Sequence, residues 1–195
     1  MTTATTTATT AAETLLTRFA AAVEANDAAA LAACFTPDGI YDDYFFGPEQ
    51  GPQGIAHILA GFYKGGCDFR WQFHDVLAGP GRAYARYRFS YRSTAPEAAG
   101  ARVCFDGIAC LDLSPDGLIR RYSEVFDRGM ALAQQNFAPE RLARIERRHA
   151  EALNARGIGW GICERQTPSI FRPNRLAIQC GWVANGFLEG RSDSG

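Results

Sequence analysis

The spacing of apolar residues along the first 64 positions is typical of helices. A capping box from Thr10 to Glu13 predicts a helix start, and apolar residues then recur at helical intervals as far as Asn26. Asp27 can cap a short second helix that continues to Cys34. A third helix is predicted over 54–64, where paired glycines follow. The pattern therefore predicts two helices over 10–34 and a third over 54–64.

Further along, the period of the pattern changes from the helical value of about 3.6 to about 2, which is the period of a strand. Four strands are predicted from this alternation, over 69–74, 83–92, 101–113 and 118–126. A shorter strand is predicted from Ile40 to Phe46. Short turns join the four, so they form an antiparallel meander whose apolar face needs cover from the helices. The pattern predicts an α+β domain closed around an apolar pocket.

After the sheet, the pattern predicts one more helix and an irregular end. Residues 139–155 read as a helix with Leu142, Ile145 and Leu153 inward, whereas 129–135 give no clear assignment. The expected organisation has four parts: a flexible tail (1–12), one domain (13–135), a C-terminal helix (136–157) and an irregular tail (158–195).

Composition narrows the function classes. The 195 residues suit one domain with tails, and a formal net charge of −1 gives no electrostatic reason to expect nucleic acid or an acidic membrane as partner. The sequence shows no signal peptide and no apolar run of about 18 residues, so a cytoplasmic protein is expected. Its six cysteines form no C-x-x-C pair and are expected to be reduced packing thiols.

Cofactor motifs are missing from the sequence. No glycine-rich nucleotide loop and no G-x-S-x-G elbow occurs, and the three histidines are scattered. We therefore expect neither a cofactor nor a metal site.

Six stretches between Glu13 and Asp127 resemble the ketosteroid isomerases and the SnoaL-like polyketide cyclases, which share the nuclear transport factor 2-like superfold. The stretches are 15–19, 34–43, 54–63, 105–107, 116–119 and 122–126. The resemblance implies a cone-shaped domain whose N-terminal helices pack on a curved, mainly antiparallel sheet around a pocket. It makes 13–135 a SnoaL-like domain.

The same resemblance implies catalytic residues. In ketosteroid isomerases a carboxylate at the end of the first strand shuttles a proton, while a tyrosine and a neutral aspartic acid stabilise the dienolate oxygen. By position Asp43 corresponds to the shuttling carboxylate and Asp106 to the neutral acid. Phe19 stands where the tyrosine is expected, so one hydroxyl donor is missing. If Asp106 faces the pocket, desolvation will raise its pKa.

Each candidate has a structural alternative. Asp43 could be part of a solvated pair, and Asp106 could face outward on its strand. His74 could be exposed, or could act as a general acid/base with a carboxylate, as in dehydratases of this superfold. Glu124 could line the pocket mouth or pair with a nearby arginine. The expected substrate-binding residues are Phe19, Tyr41, Tyr44, Phe62, Trp71, Tyr87, Tyr122 and Phe126.

The leading interpretation is a cofactor-independent acid/base enzyme, of isomerase, cyclase or dehydratase type, acting on a small apolar carbonyl or polyketide-like molecule. Asp43 would abstract a proton α to the carbonyl, and Asp106 or a tyrosine would stabilise the enolate. The alternative is a non-catalytic ligand-binding or dimerisation module, which Phe19 favours. Asp43 and Asp106 on opposite faces of the sheet would also favour the module.

A homodimer is expected through the outer face of the sheet. Tyr84, Arg86 and Arg88 form an outward row on the second of the four strands. Such a mixture of aromatic and arginine side chains is typical of interfaces.

Overall fold

The computed structural model describes residues 2–155, in which helices pack on one face of a six-stranded sheet. The helices are α1 (Thr2–Glu24), α2 (Ala28–Ala32), α3 (Gly51–Gly65), α4 (Arg128–Ala133) and α5 (Pro139–Ala155). The strands are β1 (Phe35–Asp43), β2 (Gly47–Gln50), β3 (Gly66–Gly79), β4 (Arg82–Ser93), β5 (Arg102–Leu113) and β6 (Ile119–Phe126). This arrangement confirms the predicted α+β class.

The sheet has the order β2-β1-β6-β5-β4-β3. Every neighbouring pair is antiparallel except β1 and β6, which run parallel. The meander from β3 to β6 is the one that the alternating pattern predicted, and β1 joins it through a long-range pairing with the last strand. This pairing places the end of β1 beside the end of β6, close to the middle of the sheet.

Alternation along β4 shows how the sheet sorts its side chains. Ala85, Tyr87 and Phe89 are buried against the helices, whereas Arg86 and Arg88 between them are exposed. Removing large apolar side chains from water stabilises the fold by about 1.5–3 kcal/mol each. The inward face of the sheet therefore forms the core, and its outward face is a charged surface.

The first helix differs from the prediction. It begins at Thr2 rather than at Thr10, so much of the expected tail over 1–12 is helical. Thr10 does not cap the helix, because its hydroxyl donates to the Thr6 carbonyl one turn earlier, at 3.1 Å. Asp27 does cap α2, since its Oδ1 accepts from the Ala30 N–H at 2.9 Å. The alanines among the first twelve residues favour the helix, which lets α1 continue past the predicted start.

The start of β1 and one side chain of α5 also differ from the prediction. Strand β1 begins at Phe35 rather than at the predicted Ile40, with a bulge where the register to β6 shifts between Phe35 and Ile40. In α5 Ile145 is buried as expected, but Leu153 is 67% exposed, so its predicted inward position is wrong. The buried and half-buried side chains of the helix lie between Arg141 and Ala152, and Leu153 lies beyond them. The predicted tail over 158–195 lies outside the described residues.

No helix within the described part of the chain is long and apolar enough to cross a membrane.

Candidate active site

Asp43 ends β1 and is almost fully buried, with 3% of its surface exposed. The chain turns immediately afterwards, and Oδ1 accepts hydrogen bonds from the N–H groups of Phe45 and Phe46 at 2.7 and 2.8 Å. Aspartate commonly closes such turns in this way. Burial raises the pKa of Asp43 to about 6, although the two backbone N–H groups act in the opposite direction.

Glu124 is a second buried carboxyl group, with 8% of its surface exposed. The hydroxyls of Tyr87 and Tyr122 both donate to its Oε2, at 2.8 and 2.9 Å. Because β1 runs parallel to β6 and pairs Asp42 with Ser123, the next residues along, Asp43 and Glu124, lie side by side. The parallel pairing therefore brings two carboxyl groups to one point of the interior.

The two carboxyl groups interact and differ in acidity. Burial and, after it, the negative charge of Asp43 raise the pKa of Glu124 to about 8, although the hydrogen bonds from the two tyrosine hydroxyls act in the opposite direction. A hydrogen bond from Glu124 in turn lowers the pKa of Asp43. Two like charges so close cannot both form easily, so Asp43 ionises first and Glu124 keeps its proton. Near neutral pH the pair is a carboxylate beside a neutral acid.

A small cavity adjoins this pair, with a volume of about 20 Å³. Besides the two carboxyl groups and Tyr87, its lining is aromatic and consists of Phe45, Phe62, Trp71, Phe89, Phe105 and Phe126. A space of this size holds about one water molecule. The structure therefore shows the site closed, and a larger ligand has to displace part of the wall.

Two buried donors near the pair have no hydrogen-bond partner among the described residues. They are the hydroxyl of Tyr41 and the indole N–H of Trp71. The Tyr41 ring packs edge-on against Tyr122, with centroids 5.0 Å apart, and Trp71 lines the cavity. Buried polar groups are nearly always paired, so both donors are available to a water molecule or a ligand.

Gly107 allows Tyr87 to reach Glu124. It lies directly opposite Tyr87 in the pairing of β4 with β5. A Cβ at position 107 would lie 2.3 Å from the Tyr87 hydroxyl oxygen, which is closer than two non-bonded atoms can approach. The phenol ring therefore crosses the space that any larger residue would occupy.

Asp106 does not face the pocket, so the condition for a raised pKa is not met. It lies on the outer face of β5 and forms a bidentate pair with Arg88, at 2.8 and 3.0 Å. The hydrogen bond from Arg88 lowers the pKa of Asp106. Since Phe105 points inward, its neighbour must point outward. Asp43 and Asp106 are thus on opposite faces, an arrangement that counts against their predicted cooperation.

His74 also lies away from the carboxyl pair. Its Nδ1 is 3.1 Å from a carboxylate oxygen of the exposed Asp75, and the ring borders an open groove between α1 and β3. That groove has a volume of about 540 Å³, and Trp71 separates it from the closed cavity. His74 is exposed, which is the first of its two alternatives, and it does not pair with either carboxyl group of the cavity.

The aromatic residues expected at the site fall into three groups. Phe62, Trp71, Tyr87 and Phe126 line the cavity. Phe19, Tyr41 and Tyr122 form the layer behind it, where Phe19 stacks on Tyr122 with centroids 5.0 Å apart. Tyr44 lies at the edge, partly exposed, with its ring against Phe126.

Glu124 is the functional candidate that the sequence did not rank. It occupies an inward position of β6, between the inward-facing Tyr122 and Phe126. A charged residue at such a position is the signal that could have identified it. The outward Val125 obscures this signal because it makes the alternation irregular.

Within residues 2–155 there is no cluster of three histidine, cysteine, aspartate or glutamate side chains placed to hold a metal ion.

Comparison with known proteins supports the fold. A family model described as a SnoaL-like domain matches residues 16–122, which is more than half of the chain and ends before α4 and α5. A search of curated proteins finds no match.

Several solved structures share the fold at low sequence identity. A protein with a ketosteroid isomerase-like fold from Catenulispora acidiphila, in complex with trimethylamine, is 17% identical (TM-score 0.56), covering 64% of this chain and 97% of its own. A candidate SnoaL-like polyketide cyclase from Jannaschia sp. is 12% identical (TM-score 0.58), covering 68% and 96%. An LEH-like epoxide hydrolase from M. tuberculosis is 19% identical (TM-score 0.53), covering 65% and 90%. At these identities the likeness shows the fold alone.

Proposed function

Because this chain belongs to the SnoaL-like domain family, we propose that it is a cofactor-independent acid/base enzyme acting on a small, largely apolar carbonyl compound. One observation carries the proposal: Asp43 and Glu124 form a buried pair whose pKa values are raised to about 6 and about 8. Catalytic acids and bases work best when their pKa values lie near the working pH. Strongly perturbed pKa values beside a cavity are typical of functional sites.

In the proposed reaction Asp43 takes a proton from the carbon α to the carbonyl group. The C–H electron pair moves into the enolate, and the neutral Glu124 donates a hydrogen bond to the oxygen on which negative charge develops. Asp43 then returns its proton to another carbon in an isomerisation, or to a leaving oxygen in a dehydration. The protons and electrons therefore balance without an added oxidant, reductant or cofactor.

The two tyrosines determine the direction of the hydrogen bond that Glu124 donates. Tyr87 and Tyr122 both donate to Oε2, so the proton of the neutral acid resides on Oε1 and its hydrogen bond is directed to Asp43. A substrate carbonyl that enters between the two carboxyl groups would take over this hydrogen bond. The two tyrosines thereby supply hydroxyl donors at the site, which Phe19 cannot do because it has no hydroxyl.

The lining of the cavity supports an apolar substrate class. Six aromatic side chains surround the carboxyl pair, and such a wall favours flat, weakly polar molecules. One of the solved structures that share the fold is described as a SnoaL-like polyketide cyclase. The water-poor surroundings also strengthen each electrostatic interaction with the enolate.

The proposal is tested by a ligand screen followed by an exchange assay. Small cyclic ketones and polyketide-like compounds are screened by thermal shift, and the binders are followed by NMR in D₂O for exchange of their α-protons. We expect exchange well above the buffer rate for at least one binder. Asp112→Asn is the matched control because Asp112 pairs with Arg82 at 2.7 Å, away from the cavity, and its exchange rate should equal that of the wild type.

A second candidate is a non-catalytic ligand-binding module. The closed cavity of about 20 Å³, the missing hydroxyl at Phe19 and the position of Asp106 on the opposite face of the sheet from Asp43 favour it. The same screen separates the two functions, because a binding module would take up ketones without exchanging their α-protons.

A homodimer through the outer face of the sheet is a further part of the proposal. Tyr84, Ile108 and Val125 are exposed there, and Ile108 pairs directly with Val125 in the β5–β6 register and with Arg86 in the β4–β5 register. An exposed apolar patch bordered by arginines is typical of interfaces. We expect a dimer by light scattering at micromolar concentration and a shift to monomer in Ile108→Asp. A wild-type monomer would contradict this.

A further inference from the structure

We propose that Arg128 and Glu146 form a latch, by which helix α5 holds closed the turn that covers the carboxyl pair. The proposal rests on the proposed function only in giving that cavity a purpose, since the contacts themselves are independent of the chemistry. Arg128 and Glu146 are positioning residues in this account, because neither borders the cavity.

The first step of the argument is that the cavity must open. Phe45 and Phe126 close it with ring centroids 5.0 Å apart, and Phe126 also stacks on Phe105 at 4.3 Å. Most of the other lining residues belong to β3, β4, β5 or α3, which are paired or packed along their length. The turn 44–46 joins β1 to the short outer strand β2, so it is the part of the wall that can move at least cost.

Tyr44 connects this turn to both the pair and the latch. Its backbone N–H donates a hydrogen bond to Glu124, which lowers the pKa of that carboxyl group. Its carbonyl accepts a hydrogen bond from Nη1 of Arg128 at 3.1 Å. The Arg128 guanidinium also lies over the Tyr44 ring, 4.7 Å from its centroid. Movement of the turn would therefore break the contacts of both backbone groups of Tyr44.

Glu146 of α5 fixes the arginine in this position. Its two carboxylate oxygens lie 3.3 Å from Nε and Nη2 of Arg128, so all three guanidinium nitrogens have partners. The Arg128 side chain is only 10% exposed. A bidentate pair of this kind has a defined geometry, and a partly buried one resists rearrangement.

The latch lies outside the part of the chain that the family model matches. That match ends at residue 122, whereas Arg128 begins α4 and Glu146 lies in α5. The helices after β6 thus add, to a domain that others in the family share, a contact that reaches its pocket. Control of access is a role that such an addition can supply without changing the carboxyl pair.

The test measures opening of the turn directly, by NMR amide hydrogen exchange in the full-length protein. The N–H groups of Phe45 and Phe46 are bonded to Asp43 and exchange when the turn opens. We expect Arg128→Ala to speed their exchange roughly tenfold or more, and Glu146→Gln to speed it less. The amide of Tyr87, in the middle of β4, should keep the wild-type rate in both variants.

Arg141→Ala is the matched control. Arg141 also lies in α5, pairs with Glu97 at 2.8 Å and stacks on Phe137, but it touches neither the turn nor the cavity. Wild-type exchange at Phe45 and Phe46 in Glu146→Gln and Arg128→Ala would refute the latch. Equal acceleration in Arg141→Ala would also refute it, because general loosening of α5 would then explain the effect. If Arg128→Ala fails to fold, the milder Glu146→Gln decides.

The outcome is distinguishable from failure of the proposed function. Faster amide exchange without any α-proton exchange on ketones would leave the latch standing and remove the enzyme proposal. Exchange of ketone α-protons with unchanged amide rates would remove the latch and leave the enzyme proposal standing. Where both hold, Glu146→Gln should alter substrate entry, seen as a changed KM, while the pH profile of turnover keeps its shape.

Discussion

Asp43→Asn is expected to reduce α-proton exchange on a bound ketone by about 10³-fold or more. The asparagine oxygen can still accept from the N–H groups of Phe45 and Phe46, so the turn and the cavity keep their shape. What is lost is the carboxylate that takes the proton. Ligand affinity by thermal shift should stay within a few-fold of wild type, because the aromatic lining is unchanged.

The pH profile gives an independent check on this assignment. Asp43 must be ionised and Glu124 protonated, so exchange should rise with pH through about 6 and fall through about 8. Since the pair is coupled, these two limits belong to the pair as a whole. A variant with full exchange, or a wild-type rate that is flat between pH 5 and 9, would remove Asp43 as the base.

Glu124→Gln is expected to remove most of the pH dependence of stability between pH 4.5 and 8. In the wild type, the folded state holds the Glu124 proton up to a pKa of about 8, whereas the unfolded chain releases it near 4.5. The unfolded state therefore binds fewer protons across this range, and stability falls as pH rises, by about 1.4 kcal/mol per pH unit. Below about pH 4.5 Glu124 is protonated in both the folded and the unfolded state, and its destabilising effect disappears.

Glutamine reproduces the neutral acid without its ability to ionise. Its oxygen can accept from Tyr87 and Tyr122, and its amide can donate to Asp43. Relative to wild type, the variant should gain on the order of 2–5 kcal/mol in unfolding free energy from pH 4.5 to 8, in urea titrations at each pH. It should also lose about 10²-fold in ketone exchange. Glu140→Gln, on the exposed surface of α5, is the control. Parallel stability curves for Glu124→Gln and wild type would show that Glu124 ionises normally.

Sequence reasoning succeeded where the pattern was local. The change to a period of 2 located the four strands from β3 to β6, because one buried face imposes alternation over many residues. The resemblance brought attention to Asp43, which the structure places at the end of β1 in the cavity. In both cases the deciding information lay within a few consecutive residues.

The site could not be completed in the same way because its second carboxyl comes from a distant strand. The parallel pairing of β1 with β6 joins positions about 80 residues apart, and nothing local in either strand encodes it. Asp106 shows the opposite error. The apolar Val103 and Phe105 already favoured an outward Asp106, but the resemblance was given more weight than this alternation. A shift of one residue along a strand exchanges the two faces of the sheet.

Gly107 and Tyr87 have a consequence for evolution within this family. The phenol that supports Glu124 occupies the volume of a side chain at 107, so neither position can change freely without the other. Substitution in a relative should therefore be paired, with a larger residue at 107 accompanying a smaller one at 87. Coevolution of these two positions is expected in lineages where two tyrosine hydroxyls donate to the buried acid. It is not expected in lineages that have lost this arrangement.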